Sequence, residues 1–298
     1  MNWDGPETRF VRLHDGRRLA YTEWGDPAGS PVVHMHGMPG SRYEHEAPPD
    51  YYRSLGVRVI TPDRPGYGMS DPQRHRRLVD WPADVAELAD ALGIARFGVT
   101  ALSGGGIYAL ACAALIPDRV TAVVTTGCPG PMQFPGALNN MRLMTRAGVW
   151  LAARMPWLFE AGAAVLAGVV HAHPRFFIDQ AFRDKPAADL RLFSSPAVAA
   201  GAAATLREAM HRGASGYVQD IQVLALPWNI SLGDIHVPVE LWHGDQDNVI
   251  PVQHGYYLKS VMPGATLRIC PGEAHMLLWS HLAEVMRDVT ATPSPRAA

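Results

Sequence analysis

Apolar and polar positions alternate over residues 8–13 and again over 17–24, on either side of His14-Asp15-Gly16, a pattern that predicts an antiparallel β-hairpin. From Pro31 the texture changes to short β-branched runs at 32–35, 57–60, 97–100 and 120–124, with helix-like segments between most of them. Such alternation predicts parallel strands joined by crossover helices, because a parallel connection has to return along the sheet before it pairs again. Apolar residues at helical spacing run from 84 to 92 and stop at Gly93, and a second set runs from 106 to 115 before Pro117. After Cys128 the alternation ceases. Alanine-, methionine- and tryptophan-rich helical segments follow, broken at Pro156, Pro174, Pro186, Pro196 and Gly213. This stretch, 129–235, reads as a helical cap inserted into a core formed by 1–128 and 236–298. Strand texture returns at 237–242 and 266–269, and a last helix is predicted over 277–289. The small, proline-containing tail from 290 to 298 is expected to be disordered. The fold class is therefore α/β: a mostly parallel twisted sheet with helices on both faces, opened by an antiparallel hairpin.

Candidate chemistry concentrates at one junction, Val99-Thr100-Ala101-Leu102-Ser103-Gly104-Gly105-Gly106, where a strand stops at a serine and a helix begins. A turn this tight needs small residues two before and two after the serine, here Ala101 and Gly105, and it would hold Ser103 Oγ out at the carboxyl edge of the sheet. The same glycines also fit a dinucleotide-binding turn, Gly104-x-Gly106-x-x-Ala109. That reading wants an acidic residue about 20 positions on, for a ribose hydroxyl. The region in question, Val123-Val124-Thr125-Thr126-Gly127-Cys128, has none. A nucleophilic serine instead wants an acid and then a histidine downstream, and both follow strands: Gly244-Asp245-Gln246-Asp247 and Gly272-Glu273-Ala274-His275. Asp245 competes with Asp247 for the acid, and the spacing after Gly244 favours Asp247.

With these stretches in order, the chain resembles the α/β-hydrolase family over nearly its whole length. The resemblance implies Ser103 as nucleophile, His275 as general base and Asp247 as the acid that orients it. His36-Gly37-Met38-Pro39-Gly40 is similar to the family's His-Gly loop, which implies the backbone N–H groups of Met38 and Gly104 as oxyanion donors. Asp63-Arg64-Pro65-Gly66-Tyr67-Gly68-Met69-Ser70 is similar to a turn of the family and is read as structural, with no chemistry. Gly104 lacks the side chain many relatives place there, so a roomier acyl side is expected. The implied activity is that of a serine hydrolase working through an acyl-enzyme on an ester, lactone or related carbonyl substrate, with no cofactor and no metal. Two alternatives stand beside it: the same site turned to carbon–carbon cleavage, cyclisation or acyl transfer, and a ligand-binding protein that keeps the fold without turnover.

Composition narrows the setting. The chain has 298 residues, 48% hydrophobic and 18% charged, with a formal net charge of -2, so it offers no basic field for nucleic acid. Cys112, Cys128 and Cys270 are an odd, widely spaced set and read as small buried hydrophobes, which suits a cytoplasmic location. The polar, acidic start at 1–7 lacks the pattern of a secretory signal, and the most apolar stretch, 161–170, is far short of the ~18 uncharged residues that span a bilayer. The expected partner is a small, hydrophobic substrate, and the expected state a monomer or homodimer. The chain carries many large apolar residues between 141 and 182, among them Met144, Trp150, Trp157, Phe159, Phe176 and Phe177; any single one is expected to pack helix on helix, and some of the set to line an apolar pocket above Ser103.

Overall fold

The computed structural model describes residues 6–44, 47–182 and 184–291. In chain order the elements are β1 (Arg9–Arg12), β2 (Arg18–Gly25), β3 (Ser30–Met35), α1 (Pro49–Ser54), β4 (Val57–Pro62), α2 (Trp81–Ala91), β5 (Phe97–Leu102), α3 (Gly105–Leu115) and β6 (Val120–Thr126). Helices α4 (Leu143–Arg154), α5 (Pro156–Ala172), α6 (Pro174–Phe182), α7 (Ala187–Phe193), α8 (Pro196–Ala209) and α9 (Ser215–Ala225) follow. The chain then returns to the sheet as β7 (Val239–Gly244), α10 (Gln253–Val261), β8 (Thr266–Cys270) and α11 (Leu277–Thr290).

The strands form one sheet in the order β1-β2-β4-β3-β5-β6-β7-β8. β2 runs antiparallel to both β1 and β4, and the pairs from β4 to β8 are parallel. β5, near the centre, is buried at every position, as a strand covered on both faces must be. On one face its neighbours pack against α2 and α3 through Leu88, Ile107 and Leu110; on the other, Leu278, Val285 and Val289 of α11 meet Val32 and Val124. The sheet and its hairpin are those read from the hydrophobic pattern. β5 continues past 100 because Ala101 and Leu102 go on pairing with Thr125 and Thr126, which carries the chain to Ser103 at the carboxyl edge.

The proline breaks in the inserted helical region fall at helix starts. Pro156 and Pro196 sit in the first turns of α5 and α8, where a missing N–H costs nothing, and Gly213, at φ 90°, turns the chain between α8 and α9. α1 and α10 escaped the pattern because one is only six residues long and the other, QHGYYLKSV, mixes polar residues and a glycine through its length. Thr290 ends α11 instead of opening a disordered tail. Residues 292–298 of that tail, and 1–5 of the polar, acidic start, lie outside the described residues. Among the described residues no single helix is long and apolar enough to cross a membrane; α5 with 174–180 of α6 would reach the length, but the two are bent by 116°. All three cysteines are buried and free.

Candidate active site

Ser103 is held by the turn between β5 and α3 at φ 53°, a left-handed conformation that costs a non-glycine residue of order 1–3 kcal/mol and persists only where the surroundings enforce it. Here the Ser103 N–H donates to Thr126 O at 2.8 Å and its C=O accepts from Gly106 N–H at 2.9 Å. A Cβ on Gly105 would stand 2.1 Å from Met35 O, so only glycine lets the new helix pass under β3. Gly104 is different. A side chain there would collide with Met38, whose Sδ lies 2.3 Å from the would-be Cβ, so the expected extra room beside Ser103 is already filled by Met38.

The loop after β3 is pinned from both sides. Gly37 N–H donates to Glu44 Oε1 at 2.8 Å, and Glu44 Oε1 also meets His34 Nε2 at 3.2 Å. From the other side Arg64 donates to His36 O at 2.6 Å and to Gly37 O at 2.8 Å, while His36 Nδ1 shares Gly37 O at 2.9 Å. His36 Nε2 accepts from Arg64 N–H, which fixes the Nδ1–H tautomer. Burial, and then the Arg64 charge, push the His36 pKa well below its ordinary value, so the ring is neutral. Because N–H and C=O point oppositely across a planar trans peptide, turning Gly37 O toward Arg64 turns the Met38 N–H away from it. Neither that N–H nor the one of Gly104 has a recorded hydrogen-bond partner among the described residues.

Asp247 Oδ2 lies 2.7 Å from His275 Nδ1, with the carboxylate fully buried, and its Oδ1 accepts the N–H groups of Val249 at 2.8 Å and Ile250 at 2.9 Å. Burial works to raise this carboxyl, but the charge and hydrogen bond of His275, with His243 and the Ile250 N–H behind them, outweigh it and hold the pKa below its ordinary value. An ionised Asp247 keeps the proton of His275 on Nδ1 and leaves Nε2 as the base. His243, missed from sequence, stands 3.7 Å behind Asp247 Oδ2 and donates from Nε2 to Ile250 O at 2.6 Å; burial lowers its pKa and keeps it neutral. Asp245 serves elsewhere: its Oδ1 accepts Gly272 N–H at 2.8 Å, tying the loop after β7 to the loop after β8. Gly127, at φ 59°, runs beneath the Asp247–His275 pair, and a Cβ there would sit 3.2 Å from His275 Nδ1.

Ser103 and His275 border one cavity of about 630 Å³, together with Gly37 and Met38. No hydrogen bond joins Ser103 Oγ to His275 among the described residues; such contacts commonly tighten only when substrate is bound. Most of the wall is apolar: Trp24, Leu102, Phe177, Ile178, Phe193, Leu206 and Trp279 contribute, and Glu44, Arg142, Lys185 and Thr205 interrupt it. Of the aromatic and methionine residues singled out in 141–182, Phe177 lines it. Met144, Trp150, Trp157 and Phe176 face outward, and Phe159 is buried in helix packing against Tyr217 of α9. The roof is therefore α6 to α8, because α4 and α5 spend their inner faces on each other and on α9.

The chain matches the family described as alpha/beta hydrolase fold over residues 30–282, and it belongs to that family. It is 27% identical over 290 residues to a non-heme chloroperoxidase of Streptomyces lividans, covering 94% of this chain and 98% of that protein. To a proline iminopeptidase of Xylella fastidiosa strain 9a5c it is 28% identical over 314 residues, covering 90% of each. Among solved structures, the enol-lactonase from Burkholderia xenovorans LB400 has a TM-score of 0.68 at 19% identity, covering 94% of this chain and 98% of its own, a likeness of fold. The homologues are enzymes of the alpha/beta hydrolase superfamily, hydrolases among them.

Proposed function

We propose that the protein is a serine hydrolase that acts through an acyl-Ser103 intermediate on an ester, lactone or related carbonyl substrate of small size, with 129–235 serving as its lid. Ser103 Oγ attacks the carbonyl carbon as His275 Nε2 takes the hydroxyl proton, and Asp247 stabilises the imidazolium that results. The negative charge that develops on the carbonyl oxygen is met by the N–H groups of Met38 and Gly104, a donation worth about 3 kcal/mol each in a dry site. His275 then returns the proton to the leaving alkoxide. Water, deprotonated by the same Nε2, releases the acid and restores Ser103.

The observation that carries this reading is the 2.7 Å Asp247–His275 hydrogen bond opening onto the same cavity as a serine held at positive φ. A binding protein has no use for an oriented acid and base behind a strained serine. The names of the relatives, a chloroperoxidase and an iminopeptidase among them, span several chemistries, so the substrate has to come from the cavity. Reaction with a fluorophosphonate followed by peptide mapping tests nucleophile and activation together. Labelling is expected at Ser103, absent in Ser103→Ala and reduced by orders of magnitude in His275→Ala. A folded wild type that takes no label would leave the ligand-binding alternative.

A further inference from the structure

α5 is apolar on both sides and covered on one. Its inner stripe, Phe159, Ala163, Ala167 and Val170, is buried against the rest of the chain. The outer side is an arc of about 160° running for about four turns. It presents Trp157, Leu158, Val165 and Val169, exposed by 66, 39, 70 and 36%, and between them the exposed Ala161, Gly162, Ala164, Gly168 and Ala172. Glu160 and His171, the only ionisable side chains of the helix, stand at or beyond the edges of that arc. A helix with no polar face is ordinarily buried all round, so this one is suited to a cover from outside the chain. The open apolar surface on this face is on the order of 600 Å² per copy, so pairing two copies removes about 1,200 Å² from water, enough for a stable protein interface.

The order of sizes along the arc says what fits. Leu158, Ala161, Val165, Gly168 and Ala172 follow one another at alternating steps of three and four residues, the seam of a helix pair. A Cβ on Gly162 or Gly168 would meet nothing within 4 Å among the described residues, so nothing in the chain itself requires glycine there, although glycine weakens a helix relative to alanine. Such a residue on an open seam has a use where a second backbone comes close. We propose that the outer face of α5 is a homodimer interface, two copies packing antiparallel about a two-fold axis at Val165. In that register Leu158 of each copy lies over Ala172 of the other, large on small, Ala161 lies over Gly168 where the backbones come closest, and Val165 meets itself. A parallel pair sets Gly168 against Gly168 and leaves a gap there. A lipid surface matches the face less well, because α5 has no lysine or arginine and its alanines and glycines give acyl chains little to bury.

Sedimentation velocity on the full chain is expected to give the mass of two 32.4 kDa chains at about 10 µM. Val165→Glu sets two carboxylates against each other on the axis, at a position 70% exposed in the single chain, so it should raise the dimer Kd at least about 100-fold with the far-UV circular dichroism unchanged. Gly168→Leu adds apolar area and helix propensity, yet it should also raise Kd by about tenfold or more, because it fills the space that Ala161 enters. The native cysteines are buried, so introduced ones report the register. Val165→Cys should form a disulfide-linked dimer by itself, whereas Leu158→Cys and Ala172→Cys should do so only when mixed. A wild type that stays monomeric at about 100 µM, a dimer that survives Val165→Glu, or Leu158→Cys that links to itself would overturn the proposal. So would phosphatidylcholine–phosphatidylglycerol vesicles that pellet a chain monomeric in their absence, more strongly after Gly168→Leu, because the face would then serve a lipid surface.

Discussion

Two carboxylates on one loop divide the work at the scale of single residues. Asp247 spends its oxygens on His275 and on two backbone N–H groups, whereas Asp245 spends one on Gly272 N–H at the surface. Asp247→Asn keeps the shape but loses the negative charge that fixes the imidazole tautomer, so kcat on an activated ester should drop about 10³–10⁴-fold with folding retained. Asp245→Asn should cost less than about tenfold. Steady-state kinetics on both variants, with thermal melts alongside, decide it, and the reverse ranking would move the acid to Asp245. The placement of Ser103, Asp247 and His275 after β5, β7 and β8 was legible because each sits in a short motif just after a strand, and strand ends can be read from hydrophobic runs. The roles of Glu44 and His243 were not. Their meaning depends on contacts made through irregular loops, Glu44 with the Gly37 N–H and His243 with the Ile250 carbonyl among them, and loop geometry leaves no hydrophobic period in the sequence.

Between elements, the loop after β4 governs the loop after β3. Read from sequence, 63–70 was a structural turn; in the fold its Arg64 grips the carbonyls of His36 and Gly37 and is itself held by Asp220 of α9, at 2.9 and 2.7 Å. In the proposed mechanism Arg64 is thus a positioning residue for the Met38 N–H, linking that donor to the inserted helices. Arg64→Lys keeps a charge but cannot fork across two carbonyls and a carboxylate. A donor misplaced by about 1 Å costs about 10²-fold in the transition state and little in the ground state. The variant should therefore lose about 10–100-fold in kcat with KM within about threefold, and its fluorophosphonate labelling should slow in parallel. A lower Tm with kcat intact would mean that Arg64 only holds the fold. No sequence period reports such a role, because backbone carbonyls are the same at every residue.

For the molecule as a whole, the question is what fastens the inserted helices to the sheet domain. Their existence was legible from the loss of strand texture and from the prolines, but which of them roof the cavity was not, since α4 to α8 are all rich in apolar residues and periodicity does not name a neighbour. Much of the fastening is ionic and buried. Glu208 of α8 meets Arg42 at 2.6 Å, and Arg42 meets Asp63 at 2.6 Å. Asp220 of α9, fully buried, accepts from Arg64, from Arg76 and from Tyr108 Oη at 2.7 Å. Burial alone would raise the Asp220 carboxyl; Arg64 and Arg76 outweigh it and hold the pKa below its ordinary value of 3.8. A carboxyl with a depressed folded pKa stabilises in full above its unfolded value and loses that contribution as pH falls through the folded one. The wild type should therefore keep the Asp220 contribution down to about pH 5, begin to lose it below about pH 4, the unfolded value, and lose the rest as pH falls through the depressed folded one. Asp220→Asn leaves two buried guanidinium groups without a countercharge, a loss of about 3–5 kcal/mol at neutral pH. In melts from pH 7 to 3, the variant should start about 10 °C lower, and the gap to the wild type should narrow below about pH 4. A gap that widens toward acid would show that Asp220 is neutral in the folded protein, and a constant gap that its folded and unfolded pKa values coincide; in either case its hydrogen bonds, not its charge, fasten α9 to the sheet domain.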